Sequence, residues 1–118
     1  MTDDRTALLT RMYTEFNARN VDAVLGVMHA DVKWPNGWEG GYVTGHAAVR
    51  DYWTRQWAEI DPTVTPEGFE ALSDGRIRVR VHQIVRDRAG KELSDKIVNH
   101  TYTFDGGKIR GMAIDAVA

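Results

Sequence analysis

Arg76-Ile77-Arg78-Val79-Arg80-Val81-His82 alternates polar and apolar residues with a period of two. That is the pattern of a strand with one face on a core and the other in water. The stretch opens an extended segment, Arg76–Asp87, that is one of a series. Val64–Leu72 precedes it, and Glu92–Phe104 and Lys108–Val117 follow. Ser73-Asp74-Gly75, Ala89-Gly90 and Asp105-Gly106-Gly107 lie between these segments and have the composition of tight turns. The second half of the chain therefore reads as a meander of antiparallel strands.

Upstream the period changes to that of a helix. Leu8, Leu9, Met12, Tyr13 and Phe16 fall on one helical face, with Asp3 or Asp4 as the expected cap. Asn20 is placed to cap a second short helix carrying Val24, Leu25, Val27 and Met28. Asp31-Val32-Lys33-Trp34 reads as a brief strand stopped by Pro35, which cannot donate to a ladder. A third helix opens at Thr44 or Gly45 with Val49, Tyr52, Trp53, Gln56, Trp57 and Ile60 on one face, and Asp61-Pro62 closes it. Three helices followed by a meander define an α+β fold, with the helices covering one face of a curved, mainly antiparallel sheet.

Composition bounds the function. A chain of 118 residues is expected to form one domain over 1–118 with a single core. A net charge of -2 with interspersed signs offers no basic field to a phosphate backbone, so nucleic acid is excluded as the expected partner. The absence of cysteine removes thiolate catalysis, disulfides and sulfur-bound metal, and fits a cytoplasmic protein. No apolar run reaches membrane-spanning length, and Met1-Thr2-Asp3-Asp4-Arg5 is too acidic for a signal peptide. His29, His46, His82 and His100 show no ligand spacing, so no metal site is expected, and no cofactor is implied.

The aromatic residues point to a cavity. All four tryptophans lie between positions 34 and 57. Trp34 and Trp38 sit in a Gly-rich loop, Trp34-Pro35-Asn36-Gly37-Trp38-Glu39-Gly40-Gly41, and Trp53 and Trp57 stand four apart on the third helix. Rings converging from a loop and a helix line a pocket for a hydrophobic small molecule, with Asn36 offering an amide at its mouth. The structural alternatives are a tight turn at Pro35-Asn36-Gly37 and ordinary core packing for the helical pair.

The chain also resembles a known superfamily. The strings that carry the likeness are Met12-Tyr13-Thr14-Glu15-Phe16-Asn17-Ala18-Arg19-Asn20-Val21-Asp22, His29-Ala30-Asp31-Val32, Thr44-Gly45-His46-Ala47-Ala48-Val49-Arg50 and Tyr102-Thr103-Phe104-Asp105-Gly106-Gly107-Lys108-Ile109. Over nearly its whole length the sequence resembles the nuclear transport factor 2-like superfamily, and within it the SnoaL-like polyketide cyclase and ketosteroid isomerase branch. The resemblance implies a cone-shaped fold around a pocket, often paired into a homodimer. It also implies chemistry without a cofactor, of isomerase, cyclase or dehydratase type, on a carbonyl-bearing substrate. Members that only bind a ligand or dimerise use the same scaffold.

Transferred residue by residue, the resemblance puts Tyr13 at the pocket tyrosine of the ketosteroid isomerases. Their aspartate base directly precedes the proline of the first strand's exit loop, where this chain has Trp34. Their protonated acid on the third long strand stands four residues before a terminal Phe, and counting back from Phe104 reaches His100. The usual aspartate route to steroid isomerisation is therefore disfavoured. His100 and Tyr13 become candidates for the oxyanion side, and His82 or Asp115 for proton transfer. For His100 the alternative is a core histidine bonded to Tyr13 or to a carbonyl, and for Tyr13 core packing with one satisfied hydroxyl. Asp115, with small Gly111 and Ala113 as its neighbours by alternation, can equally face outward.

Whether His82 joins His100 depends on the turn at Ala89-Gly90. A two-residue turn pairs Val81 with Val98 and leaves His82 on the face of Arg78 and Arg80. A three-residue loop ending in Gly90 shifts the register by one and brings both histidines together. Arg76, Arg78, Arg80 and Arg86 mark a solvent or subunit-contact face.

Overall fold

In the computed structural model, which describes residues 4–36 and 40–116, helix α1 runs from Asp4 to Asn17 and buries Leu9, Met12, Tyr13 and Phe16. This is the stripe its spacing predicts. Its C-terminal end is tied to the sheet by an amide clamp. Asn17 Nδ2 donates to the Val64 carbonyl at 2.7 Å, and its Oδ1 accepts from the Val64 N–H at 3.0 Å. Arg19 then takes a left-handed backbone (φ 64°), pairs with Asp61 and donates to the Pro62 carbonyl at 2.7 Å.

Helix α2 (Val21–Gly26) buries Val24 and Leu25. Asn20 holds the N-cap position, but its side chain bonds to Glu15 Oε2 at 2.8 Å and caps nothing. Val27 and Met28 were expected to continue the helix; instead strand β1 begins at Met28 and runs to Pro35. Strand β2 (Tyr42–Thr44), which the sequence reading did not assign, returns antiparallel to it. Gly45 makes the corner with φ 88°, a conformation open to glycine, and helix α3 follows from His46 to Glu59.

The end of α3 differs from expectation. Ile60 was placed on the helix, with Asp61-Pro62 as its stop. It is already extended (φ -135°, ψ 164°) and pairs with Asp87 as the first residue of strand β3 (Ile60–Ala71). Pro62 and Pro66 thus lie inside a strand. That is tolerated because β3 is a sheet edge, where a missing N–H breaks no inner ladder. Strands β4 (Ile77–Asp87), β5 (Glu92–Asp105) and β6 (Lys108–Ala116) complete the set.

The six strands form one mixed, curved sheet in the order β2-β1-β6-β5-β4-β3. All neighbours are antiparallel except β1 and β6. Gly111 sits at that parallel contact, where an added Cβ would lie 3.3 Å from the Lys33 carbonyl oxygen. The α+β class and the helix-covered sheet are as the sequence predicts. No described helix is long and apolar enough to cross a membrane.

The β4–β5 hairpin resolves the register by using both alternatives. Its loop is the three-residue one. Asp87 N–H bonds to the Lys91 carbonyl at 2.8 Å, and Gly90 has φ 93°. Between the Arg86↔Glu92 and Val85↔Ser94 pairs, however, Leu93 is extra. This bulge returns the ladder to Val81↔Val98, the pairing of a two-residue turn.

Candidate functional site

Along β5 the residues Ser94, Lys96, Val98, His100 and Tyr102 face inward, and across the ladder Val85, Gln83, Val81, Val79 and Ile77 oppose them. Helices α1 and α3 lie over this surface and leave a cavity of about 330 Å³. Tyr13, Trp34, Trp53 and Tyr102 supply much of its wall, with Met12 and Met112 filling between them. The aromatic side is rigidly packed. Trp53 is 1% exposed and meets Phe16 and Trp34 edge-on, with ring centroids 5.3 and 5.6 Å away.

The chemistry sits in a buried chain of three side chains. Tyr102 Oη donates to Tyr13 Oη at 2.7 Å, and Tyr13 Oη lies 2.8 Å from His100 Nδ1. Each hydroxyl has one proton. With Tyr102 donating to Tyr13, Tyr13 donates to Nδ1 and the imidazole proton belongs on Nε2. The opposite polarity leaves two orphans, the Tyr102 proton and a bare Nε2. The first leaves only the Nε2–H. Nε2 is buried and has no hydrogen-bond partner among the described residues.

Burial sets the charge state. It lowers His100 to about 4, so the ring is neutral at physiological pH. Desolvation, and then the neighbouring Tyr102, raise Tyr13 well above an ordinary phenol. Desolvation also raises Tyr102, partly offset by its bond to Tyr13. The chain is uncharged from end to end. It presents a hydrogen-bond donor and has no ready proton acceptor, since Nδ1 is occupied and Nε2 carries the proton.

The remaining candidates divide by sheet face. His82 is on the outer face, where its Nε2 lies 2.6 Å from Asp95 Oδ1. It does not reach the cavity, because the Leu93 bulge cancels the register shift that would have turned it inward. Asp115 is exposed and opposes Asn99, while its neighbour Ile114 opposes His100 and lines the cavity. Neither of the two expected proton carriers is near His100. Trp57 stands behind Trp53 at 5.8 Å, with Arg19 over its ring at 5.0 Å, and packs rather than lines. Asn36 is buried in a turn closed by its own N–H to the Gly41 carbonyl at 2.9 Å. It is not part of the cavity wall. Trp38 lies outside the described residues.

Tyr102 is the member that sequence reasoning missed. Its signal was available: it stands two residues beyond His100 on the same strand face. Gln83, Ser94 and Lys96, polar residues at the other end of the wall, were also unnoticed. Among the described residues, no carboxylate lines the cavity and no cluster of three potential metal ligands occurs.

A model of the SnoaL-like domain matches residues 9–112, and the chain belongs to that family, within the nuclear transport factor 2-like superfamily. No curated protein matches it. Solved structures agree on the fold. TerC, co-crystallised with polyporic acid, superposes with a TM-score of 0.84 at 23% identity, covering 98% of this chain and 92% of that one. A Mycobacterium tuberculosis protein in complex with estradiol-17beta-hemisuccinate gives 0.80 at 20% identity, covering 94% and 92%. SalBIII, an epoxide hydrolase/cyclase-like enzyme with a role in salinomycin pyran-ring formation, gives 0.79 at 19%, covering 95% and 89%.

Proposed function

We propose that the cavity binds a hydrophobic small molecule whose carbonyl oxygen accepts a hydrogen bond from His100 Nε2. The observation that carries this reading is the buried, unpartnered Nε2 on a ring that lines an aromatic cavity. An orphan buried donor costs about 1–3 kcal/mol, and a ligand oxygen recovers that cost. Nε2 is shielded from solvent, so contact requires a side-chain adjustment in the wall. The flexible Met12 and Met112 make such adjustment inexpensive. Ligand-bearing structures of the same fold support a small molecule as the partner.

Catalysis of cofactor-free isomerase, cyclase or dehydratase type builds on the same contact. His100, held by Tyr13, polarises the carbonyl and stabilises the oxyanion that develops on it. The family and its cyclase-like members support that extension. One observation favours the non-catalytic alternative, a ligand-binding module. The described wall carries no carboxylate, and the neutral His100 has no free lone pair to act as a base. A homodimer joined through the outer sheet face bearing Arg78 and Arg80, in the cytoplasm, completes the proposal.

Methyl 8-oxo-8-phenyloctanoate and its deoxy counterpart, methyl 8-phenyloctanoate, test the central contact by quenching of the cavity tryptophans. The ketone is expected to bind about tenfold more tightly, from a hydrogen bond worth roughly 1 kcal/mol or somewhat more. His100→Phe should erase that preference. Equal affinity of the two esters for the unmodified protein overturns the reading.

A further inference from the structure

The cavity has a second polar feature, at the end opposite His100. Lys96 lines it beside Gln83 and Ser94. On β5, Lys96 and His100 stand four positions apart, so their Cα atoms are about 13 Å apart along the strand. His100 is buried and Lys96 is exposed, so the strand runs from the floor of the cavity to its lip. Val98 forms the apolar step between them.

Lys96 differs in its pairing from several of the arginines. Arg19, Arg50, Arg78, Arg80 and Arg110 each have a carboxylate partner. Lys96 has no ion pair or hydrogen bond with any described residue. Its nearest acidic neighbour in sequence, Asp95, points to the opposite sheet face and is held there by His82. No described lining residue supplies a countercharge. An apolar cavity whose one lining ammonium has no protein partner is complementary to an anion carried by the ligand.

We propose that Lys96 forms an anion subsite at the cavity lip, so that the ligands are elongated apolar molecules with a carbonyl at one end and a carboxylate at the other. The inference rests on the carbonyl-binding reading for the orientation of the ligand and adds its chemical class. The carboxylate meets Lys96 and Gln83, the chain or ring system lies along Val64, Val98 and Trp53, and the carbonyl reaches His100. Two polar anchors whose Cα atoms stand about 13 Å apart select for length as well as charge.

The test compares 8-oxo-8-phenyloctanoate with its methyl ester, by tryptophan quenching, in the unmodified protein, in Lys96→Met and in Lys96→Gln. Both substitutions change one exposed side chain and leave the core untouched. The acid is expected to bind about fivefold more tightly than the ester to the unmodified protein, the strength of a partly exposed ion pair. That preference should fade at high salt and vanish in both variants. Equal binding of acid and ester, with the ketone still preferred over its deoxy counterpart, overturns the subsite and leaves the carbonyl reading standing. An acid preference that survives in Lys96→Met overturns the assignment to Lys96. Failure of acid and ester alike to bind removes both readings.

Discussion

The hydroxyl of Tyr102 donates to the hydroxyl of Tyr13 over 2.7 Å, and this one contact orders every proton in the buried chain. Tyr13 has a single proton to give, and His100 Nδ1 is its remaining partner at 2.8 Å. The imidazole proton is thereby directed to Nε2. Two tyrosines on different elements, α1 and β5, select the tautomer of a histidine that neither the helix nor the strand could fix alone.

Tyr13→Phe should therefore be more damaging than Tyr102→Phe. Removing the Tyr13 hydroxyl orphans both His100 Nδ1 and the Tyr102 O–H, at about 1–3 kcal/mol each. Removing the Tyr102 hydroxyl leaves Tyr13 still donating to Nδ1 and costs roughly 1 kcal/mol. Urea unfolding measures the two losses. Nitrogen-15 spectra of the imidazole should show the Nε2–H form retained in Tyr102→Phe and a mixture of tautomers in Tyr13→Phe.

The burial of His100 makes stability depend on acid. Its folded value is about 4, below the ordinary 6.5 of the unfolded chain. Between those values the unfolded state holds more protons, so stability rises with pH across this window. It is lost as pH falls from about 6.5 toward about 4, by roughly 3 kcal/mol. Above pH 7 this group contributes no further slope. Urea midpoints from pH 4.5 to 7.5 in the unmodified protein and His100→Gln measure the effect. The variant should be flatter across the window, and two parallel profiles would rule out a buried neutral imidazole.

Much of the architecture was legible because it rests on local periodicity. The stripe of Leu9, Met12, Tyr13 and Phe16 is buried as its spacing predicts, and the turns at Gly75, Gly90 and Gly106-Gly107 lie where their residues suggest. Legibility failed where two local choices cancel. The Gly90 loop shifts the register one way and the Leu93 bulge shifts it back, and leucine carries no bulge signal. His82 was left undecided for that reason. The end of α3 was misread because Ile60 passes from helix to strand without a loop, so the apolar spacing runs on past Glu59. The Tyr13–His100 bond is a contact across 87 positions, and only the family resemblance suggested it in advance.

Asn17 holds α1, and with it Tyr13, against β3. Its amide makes two bonds to Val64, at 2.7 and 3.0 Å, in a partly buried setting. Asn17→Ala should cost about 2 kcal/mol, because it leaves the Val64 N–H and carbonyl without these partners. Asn17→Asp retains an acceptor for the Val64 N–H but opposes a carboxylate to the carbonyl, and should be at least as destabilising. Thermal unfolding should show a fall of about 5–15 °C for Asn17→Ala. No change would mean that the clamp is replaced by water.

The Leu93 bulge gives the sharpest test of the register. Leu93 is the one residue without a partner between Arg86↔Glu92 and Val85↔Ser94, and its side chain is 53% exposed. Deleting it straightens β5, keeps Val81 opposite Val98 and leaves Ser94, Lys96 and His100 facing the cavity. The melting temperature should stay within about 5 °C of the parent, a change of roughly 1 kcal/mol. Inserting one alanine between Val98 and Asn99 has the opposite consequence. The bulge already absorbs one extra residue, so a second turns His100 and Tyr102 out of the core or forces a new bulge within it. That variant should lose several kcal/mol and the Tyr13–His100 contact, seen as a His100 titrating near the ordinary 6.5. A destabilised deletion beside a tolerated insertion would show that β5 is held in register by something other than the Leu93 bulge.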